Sequence, residues 1–401
     1  MRARHYRRGM VMVVLVGMAG LGLATCSRPG DIGTCKVALD KQRYEEGFKC
    51  LEPLARKGNA VAQSTLGFMY MQAIGVPRDD RKALAWSRKA AVQGNASAQT
   101  NIGVMYLNGW GVPQDDHQVL AWTLKAAAQG NVVAQTNLGV MYEKGLGVPQ
   151  DDQQALVWYR RAAAQGYAVA QANIGALYMK GWGVPQDDQQ ALAWTHKAAA
   201  QGYASAQHNL GVMYMKGWGV PQDDQQALVW YRRAATQGNA SAQNNLGAMY
   251  MNGLGVPQDN QQALAWYSKA VAQGYALAQA NLGAMYMKGW GVPQDYQEAL
   301  AWYREAADQG NAVAQNNIGV MYLNGWGMPR DYQQALTWCL KAVAQDDAVA
   351  QTNLGAMYMK GWGVPRDAQQ ASHWFHKAAR QGYADAQKAL EKLGSRKHLV
   401  Q

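Results

Sequence analysis

Residues 134–142 read Ala134-Gln135-Thr136-Asn137-Leu138-Gly139-Val140-Met141-Tyr142, and the stretch continues through Gly145-Leu146-Gly147-Val148-Pro149-Gln150-Asp151 and Gln154-Ala155-Leu156-Val157-Trp158-Tyr159 to Ala162-Ala163-Ala164-Gln165-Gly166. Ala134, Leu138 and Met141 or Tyr142 stand at i, i+4 and i+7 or i+8, which is one face of a helix. Ala155, Trp158 or Tyr159, and Ala162 repeat that spacing in a second helix. Gly-x-Gly-Val-Pro cannot continue a helix and reads as the turn between them. Asp151 with Gln154 suits an N-cap and capping-box partner opening the second helix, and Asp187 with Gln190 and Asp223 with Gln226 repeat the pair. Gly166 is placed to close it.

The same block recurs down the chain. The Gln of its Ala-Gln pair falls at Gln63, Gln99, Gln135, Gln171, Gln207, Gln243, Gln279, Gln315, Gln351 and Gln387, each step 36 residues. A fixed period of this size marks a solenoid, in which each supersecondary unit stacks on the next because it cannot bury its apolar face alone. The expected fold is therefore all-α, a solenoid of stacked helical hairpins. The glycine inside each first helix (Gly139, Gly175, Gly211 and their sisters) costs about 1 kcal/mol relative to Ala. Close approach of the second helix is the reason expected for it.

The 401 residues include 3 Phe against 15 Trp, 21 Tyr and 19 Met, because aromatics occupy fixed places in a copied unit. The formal charge is +11, but Arg2, Arg4, Arg7 and Arg8 lie in a leader with no acidic residue; without residues 1–25 it is +7. Both signs are interspersed through the repeats, which suits solvated faces and not a nucleic-acid track. In the leader, basic Met1–Arg8 precedes an apolar run from Met10 to Ala24 and a small-residue exit, Leu23-Ala24-Thr25-Cys26. That is the layout of an export signal, and the run is short for a membrane span. Leu-Ala-Thr-Cys resembles the lipobox of bacterial lipoproteins, in which Cys26 becomes lipidated; ordinary cleavage after Ala24 is the alternative. Cys35 and Cys50 are a close pair ahead of the regular repeats and are expected to form a disulfide in an oxidising compartment. Cys339 stands where sister units carry Tyr or Thr and is expected to be a buried substitution.

Ala-Gln-x-Asn-Leu-Gly-x-Met-Tyr, Gly-x-Gly-Val-Pro-x-Asp and Ala-Leu-x-Trp-Tyr-x-Lys-Ala-Ala-x-Gln-Gly together resemble the Sel1-like repeat, a relative of the tetratricopeptide repeat. The resemblance covers residues 58–381 as nine copies. It implies a right-handed superhelix with first helices lining the concave side, and a role in protein–protein contact. Some cysteine-rich relatives bind β-lactams; the cysteines they carry in each repeat are missing here. Residues 1–25 are then the export signal, 26–57 a degenerate capping hairpin (Lys36–Asp40 and Tyr44–Lys57), and 382–401 a capping helix and tail.

The tryptophans from Trp86 to Trp374 in second helices are expected to be core. Trp110, Trp182, Trp218, Trp290, Trp326 and Trp362 fall in the turns, where Leu146 and Leu254 show that apolar bulk is wanted for packing on the next hairpin. His373 and His376 lie one helical turn apart without a third ligand. No Ser-x-x-Lys, His-Glu-x-x-His, Gly-x-Ser-x-Gly or Walker pattern occurs, so no enzyme, metal or cofactor site is expected.

The candidate site is a row of amides on the first helices: Asn101, Asn137, Asn173, Asn209, Asn245, Asn281, Asn317 and Asn353. By analogy with the tetratricopeptide helix they border the concave groove, with Lys144, Lys180, Lys216, Lys288 and Lys360, and Met179, Met215, Met251, Met287 and Met359, at its edge. Amides donate and accept, so the row can pair with the backbone of an extended peptide, and Met tolerates varied apolar contacts. Bracing of the next repeat's backbone is the competing reading. The expected molecule is a monomeric scaffold of the cell envelope, periplasmic or on the outer membrane as a lipoprotein, touching the membrane only through its N-terminal lipid or an uncleaved signal. It would bind a protein or extended peptide, with no nucleic acid. Recognition of cell-wall peptide or a β-lactam, or secretion to act on host proteins, are the alternatives.

Overall fold

The third hairpin consists of helices Val132–Lys144 and Asp152–Ala164, and its construction explains the others. Asn131 opens the first helix, its side-chain oxygen accepting from the Ala134 N–H at 2.9 Å. Asn59, Asn95, Asn239, Asn311 and Asp347 do the same in their repeats, while Tyr167 and Tyr275 occupy that position without a side-chain cap. Such a cap stabilises a helix by about 1 kcal/mol. Gly145 (φ 66°) ends the first helix in the left-handed region, and the Leu146 N–H returns to the Met141 carbonyl at 2.9 Å. Gly147 has φ 68°, and a Cβ there would lie 2.7 Å from the Asp116 carbonyl oxygen. The second glycine is therefore required twice, by its dihedral and by close approach to the preceding repeat.

Asp151 caps the second helix as its sequence suggests, accepting from the Gln154 N–H at 2.9 Å. The reciprocal half of a capping box is replaced. The Asp151 N–H donates to the Tyr142 carbonyl at 2.9 Å, and the same Asp-to-Tyr backbone bond recurs from Asp79 with Tyr70 to Asp367 with Tyr358. Tyr142 lies in the last turn of its helix, where carbonyls lack an intrahelical donor, so the tight turn satisfies two orphan groups together.

A Cβ on Gly139 would lie 2.3 Å from the Tyr159 ring, so the mid-helix glycine does admit the second helix. Leu138 and Tyr159 are fully buried. Ala155, Leu156, Tyr159 and Ala162 of the second helix then close a core with Ala170, Ile174 and Leu177 of the following hairpin, so the core spans two repeats. The second-helix tryptophans are a correction to the core expectation. Only Trp230 among them is buried; the rest are half-buried. Each lies at the margin of the core, and in most repeats the cation three residues on covers the indole. Helical periodicity identifies a face and not a depth.

The computed structural model describes residues 31–398, which hold twenty-one helices and no strand. Two units divide them: residues up to Ala206 with Trp218–Pro221, and Gln207–Gly217 with Gln222 onward. In each, hairpins stack in chain order. Ahead of the regular repeats, Ile32–Asp40 and Tyr44–Arg56 form a hairpin whose first helix starts earlier than Lys36, capped by Asp31. A disulfide joins Cys35 to Cys50 across it, and its Leu39, Leu51 and Ala55 pack on Leu66 and Met69 of the next hairpin. Cys339 is buried, with its thiol pushed up to about 12 by desolvation. Ala384–His398 forms the last helix. The leader, residues 1–25, and Cys26 lie outside the described residues.

Candidate peptide-binding face

All eight asparagines of the row sit in one register of successive first helices, and none is fully exposed. Asn101 and Asn137 are buried and the other six half-buried. Several are tied to the preceding repeat. Asn281 donates through Nδ2 to Asn244 Oδ1 at 2.9 Å, and Asn353 to Asn316 Oδ1 at 2.8 Å. Asn245 Nδ2 lies 3.1 Å from His208 Nε2. Each pair spans 37 residues, so position 5 of one first helix reaches the row residue of the next.

A second tie comes from below. The buried Tyr159 hydroxyl donates to Glu143 Oε2 at 2.8 Å and receives a hydrogen bond from Asn173. Tyr231 and Tyr303 are bonded in the same way by Asn245 and Asn317. Desolvation raises all three phenols, Tyr231 to about 12, so they remain protonated donors across the neutral range. The amides thus brace successive repeats. A primary amide has two N–H donors and an acceptor with two lone pairs, so one or two internal bonds leave capacity for a ligand. Asn101 is the exception: it is 2% exposed and its Oδ1 has no partner.

His208 was not singled out by sequence reasoning. Its Nδ1 lies 3.2 Å from Asn209 Oδ1 while Nε2 faces the Asn245 amide, an arrangement that suits a neutral ring protonated on Nδ1. Burial lowers its pKa, and the bond to Asn209 opposes that.

A longer device also escaped the sequence. The glutamine that marks each repeat is buried, and it is one rung of an amide ladder. Gln135 donates to the Ala127 carbonyl at 3.3 Å and accepts from Gln165 Nε2 at 3.0 Å. The 30-residue Gln–Gln bond recurs in every regular repeat, from Gln93 with Gln63 to Gln381 with Gln351. Its only sequence signal is that Gln stands at both places in each copy.

At the helix ends, Lys144, Lys180, Lys216, Lys288 and Lys360 are exposed; Met179, Met215, Met251 and Met359 are half-buried, while Met287 is buried. Lys180 Nζ lies 4.0 Å from the Trp182 ring. The turn tryptophans differ in their cover, and Trp110 lies under the Arg78 guanidinium at 4.4 Å. Trp326 and Trp362 stack on Tyr296 and Tyr332, with planes within 7°. Trp182, Trp218 and Trp290 remain exposed, Trp290 to 44%. No group of three potential metal ligands occurs among the described residues, and no helix there is long and apolar enough to cross a membrane.

Hairpins of this kind, each tied by its own Gln–Gln bond and stacked in chain order, define an α-solenoid. The Sel1 repeat profile matches residues 60–95, 96–131, 132–167, 168–203, 204–239, 240–275, 276–311, 312–347 and 348–383, and the chain belongs to the Sel1 repeat family. One similar structure is a protective antigen of uropathogenic Escherichia coli with an SLR fold. It is 35% identical, with a TM-score of 0.63, over 90% of this chain and 82% of that one. A Sel1 repeat protein from Oxalobacter formigenes is 32% identical, with a TM-score of 0.55, over 61% of this chain and 96% of that one. No curated protein matches. Sel1 repeat proteins generally mediate protein–protein interactions.

Proposed function

We propose that the chain is an exported, envelope-anchored scaffold that binds a protein or extended peptide along the first-helix face. The observation that carries this is the asparagine row itself: amides in one register, six of the eight half-buried, with bonding capacity beyond their internal ties. A peptide backbone laid across them would exchange hydrogen bonds whatever its side chains. The basic and thioether side chains at the helix ends would add charge and adaptable apolar contact. Export and anchoring rest on the leader and Cys26, and place the partner in the cell envelope.

The test is capture of envelope proteins by the mature chain, compared with a triple Asn281→Ala, Asn317→Ala, Asn353→Ala variant. Each lost hydrogen bond is worth about 0.5–1.5 kcal/mol net, so three together should weaken capture roughly tenfold or more while helicity at the assay temperature is retained. Equal capture by a folded triple variant rejects the row as the binding element. For the leader, wild type should incorporate a palmitate analogue and Cys26→Ser should not; unlabelled wild type rejects lipid anchoring.

A further inference from the structure

Eight of the nine regular repeats place a cation over the second-helix tryptophan from three residues downstream. Lys89 covers Trp86, Lys125 Trp122, Arg161 Trp158, Lys197 Trp194, Arg233 Trp230, Lys269 Trp266, Lys341 Trp338 and Lys377 Trp374, at 3.7–5.6 Å from the ring centroid. The seventh repeat breaks the pattern. Its tryptophan is Trp302, and the third residue on is Glu305. Among the described residues no cation stands over that indole; its Nε1 lacks a hydrogen-bond partner, as does that of the covered Trp374.

In the helix Tyr296–Asp308 the same exchange also changes the charge of the last turn. The other eight carry Lys or Arg in the last turn, where the carbonyl end of the helix favours positive charge. This one has no basic residue there, and Glu305 and Asp308 occupy that end, exposed and outside any ion pair. Both substitutions oppose the helix dipole, and one also forfeits a cation–π contact. Local rules broken at one copy of a repeated unit are expected at functional or strained positions.

We propose that Trp302, Glu305 and Asp308 form a docking site for a lysine or arginine side chain of a basic segment in a partner protein. Eight sister repeats show that an indole in this register takes a cation on its face, supplied there by the chain itself. At Trp302, which is half-buried, the internal donor is replaced by a carboxylate, which attracts a donor from outside. The carboxylates set local charge complementarity on a chain that is basic overall, +7 without residues 1–25. The site lies on a second helix and is independent of the asparagine row.

The experiment titrates the full mature chain with a short fluorescent lysine-rich peptide and with its glutamate counterpart. Wild type should prefer the lysine peptide, and Glu305→Lys, which restores the sister pattern, should weaken binding about tenfold and raise the melting temperature. Glu305→Gln with Asp308→Asn provides an uncharged second variant with the same expected loss. Equal binding of the lysine peptide by wild type and both variants overturns the site, as does no preference over the glutamate peptide. Self-association abolished by Glu305→Lys, without peptide binding, would make the occupant a second copy and overturn the partner assigned here.

Discussion

His208 occupies a position that Asn244 and Asn316 fill two other times, and it alone can change charge there. Its Nε2 accepts from Asn245 only while the ring is neutral, and burial favours that form. The folded pKa is therefore below the unfolded value of about 6.5. A depressed pKa means that the unfolded chain binds the extra proton more readily. The stabilisation is thus complete above the unfolded pKa and is lost as pH falls through the folded one. Melting curves should show wild type losing more stability between about pH 7 and pH 5 than His208→Asn does. Parallel curves would show that the ring titrates freely. Cys339 and the tyrosines contribute nothing in that window, since burial moves them upward from already high values.

Within a hairpin, sequence identifies some devices and hides others. The glycine beside Tyr159, the Asp caps and the Gly-x-Gly turn were legible because each is a local requirement of backbone geometry or capping. The asparagine caps were not, because Asn131 follows a glycine and reads as part of the turn. The amide ladder was invisible for a different reason: its bonds join residues 30 apart, and a pattern of apolar faces says nothing of where a glutamine points. Burial makes this ladder consequential. Gln135→Leu removes both its bonds, although the Ala127 carbonyl keeps the Gly130 N–H and Gln165 keeps a bond to the Gly130 carbonyl. Each lost hydrogen bond is worth about 0.5–1.5 kcal/mol net, and denaturant unfolding should register the loss of two. Gln154→Ala should change stability by only a few tenths of a kcal/mol, because its exposed side chain does not complete the capping box. If the two variants unfold alike, the ladder contributes nothing beyond solvation. The asparagine row was legible as a register, but its bracing role emerged only from partners in neighbouring repeats.

Across the chain, stability is a sum of repeat and junction terms, so damage should remain near its origin. The Cys35–Cys50 bridge closes a loop with a sequence separation of 15 residues, worth about 3 kcal/mol in the chain-entropy model. Reduction should lower hydrogen-exchange protection in Tyr44–Arg56 first and leave Ala312–Asn324 unchanged. Uniform loss along the chain would contradict nearest-neighbour behaviour.

Every regular repeat ties its own two helices by the same Gln–Gln bond and follows its neighbour at the same spacing, so the parts are interchangeable. Excising residues 132–167 would set Asn131 before Ala168, where Tyr167 now stands uncapped, and would hand that helix the cap it lacks. Length can therefore be shortened or extended in whole modules without a new interface having to be invented. The module with Glu305 is not interchangeable in this sense: its loss would remove the one regular repeat in which an acid replaces the cation of the second helix.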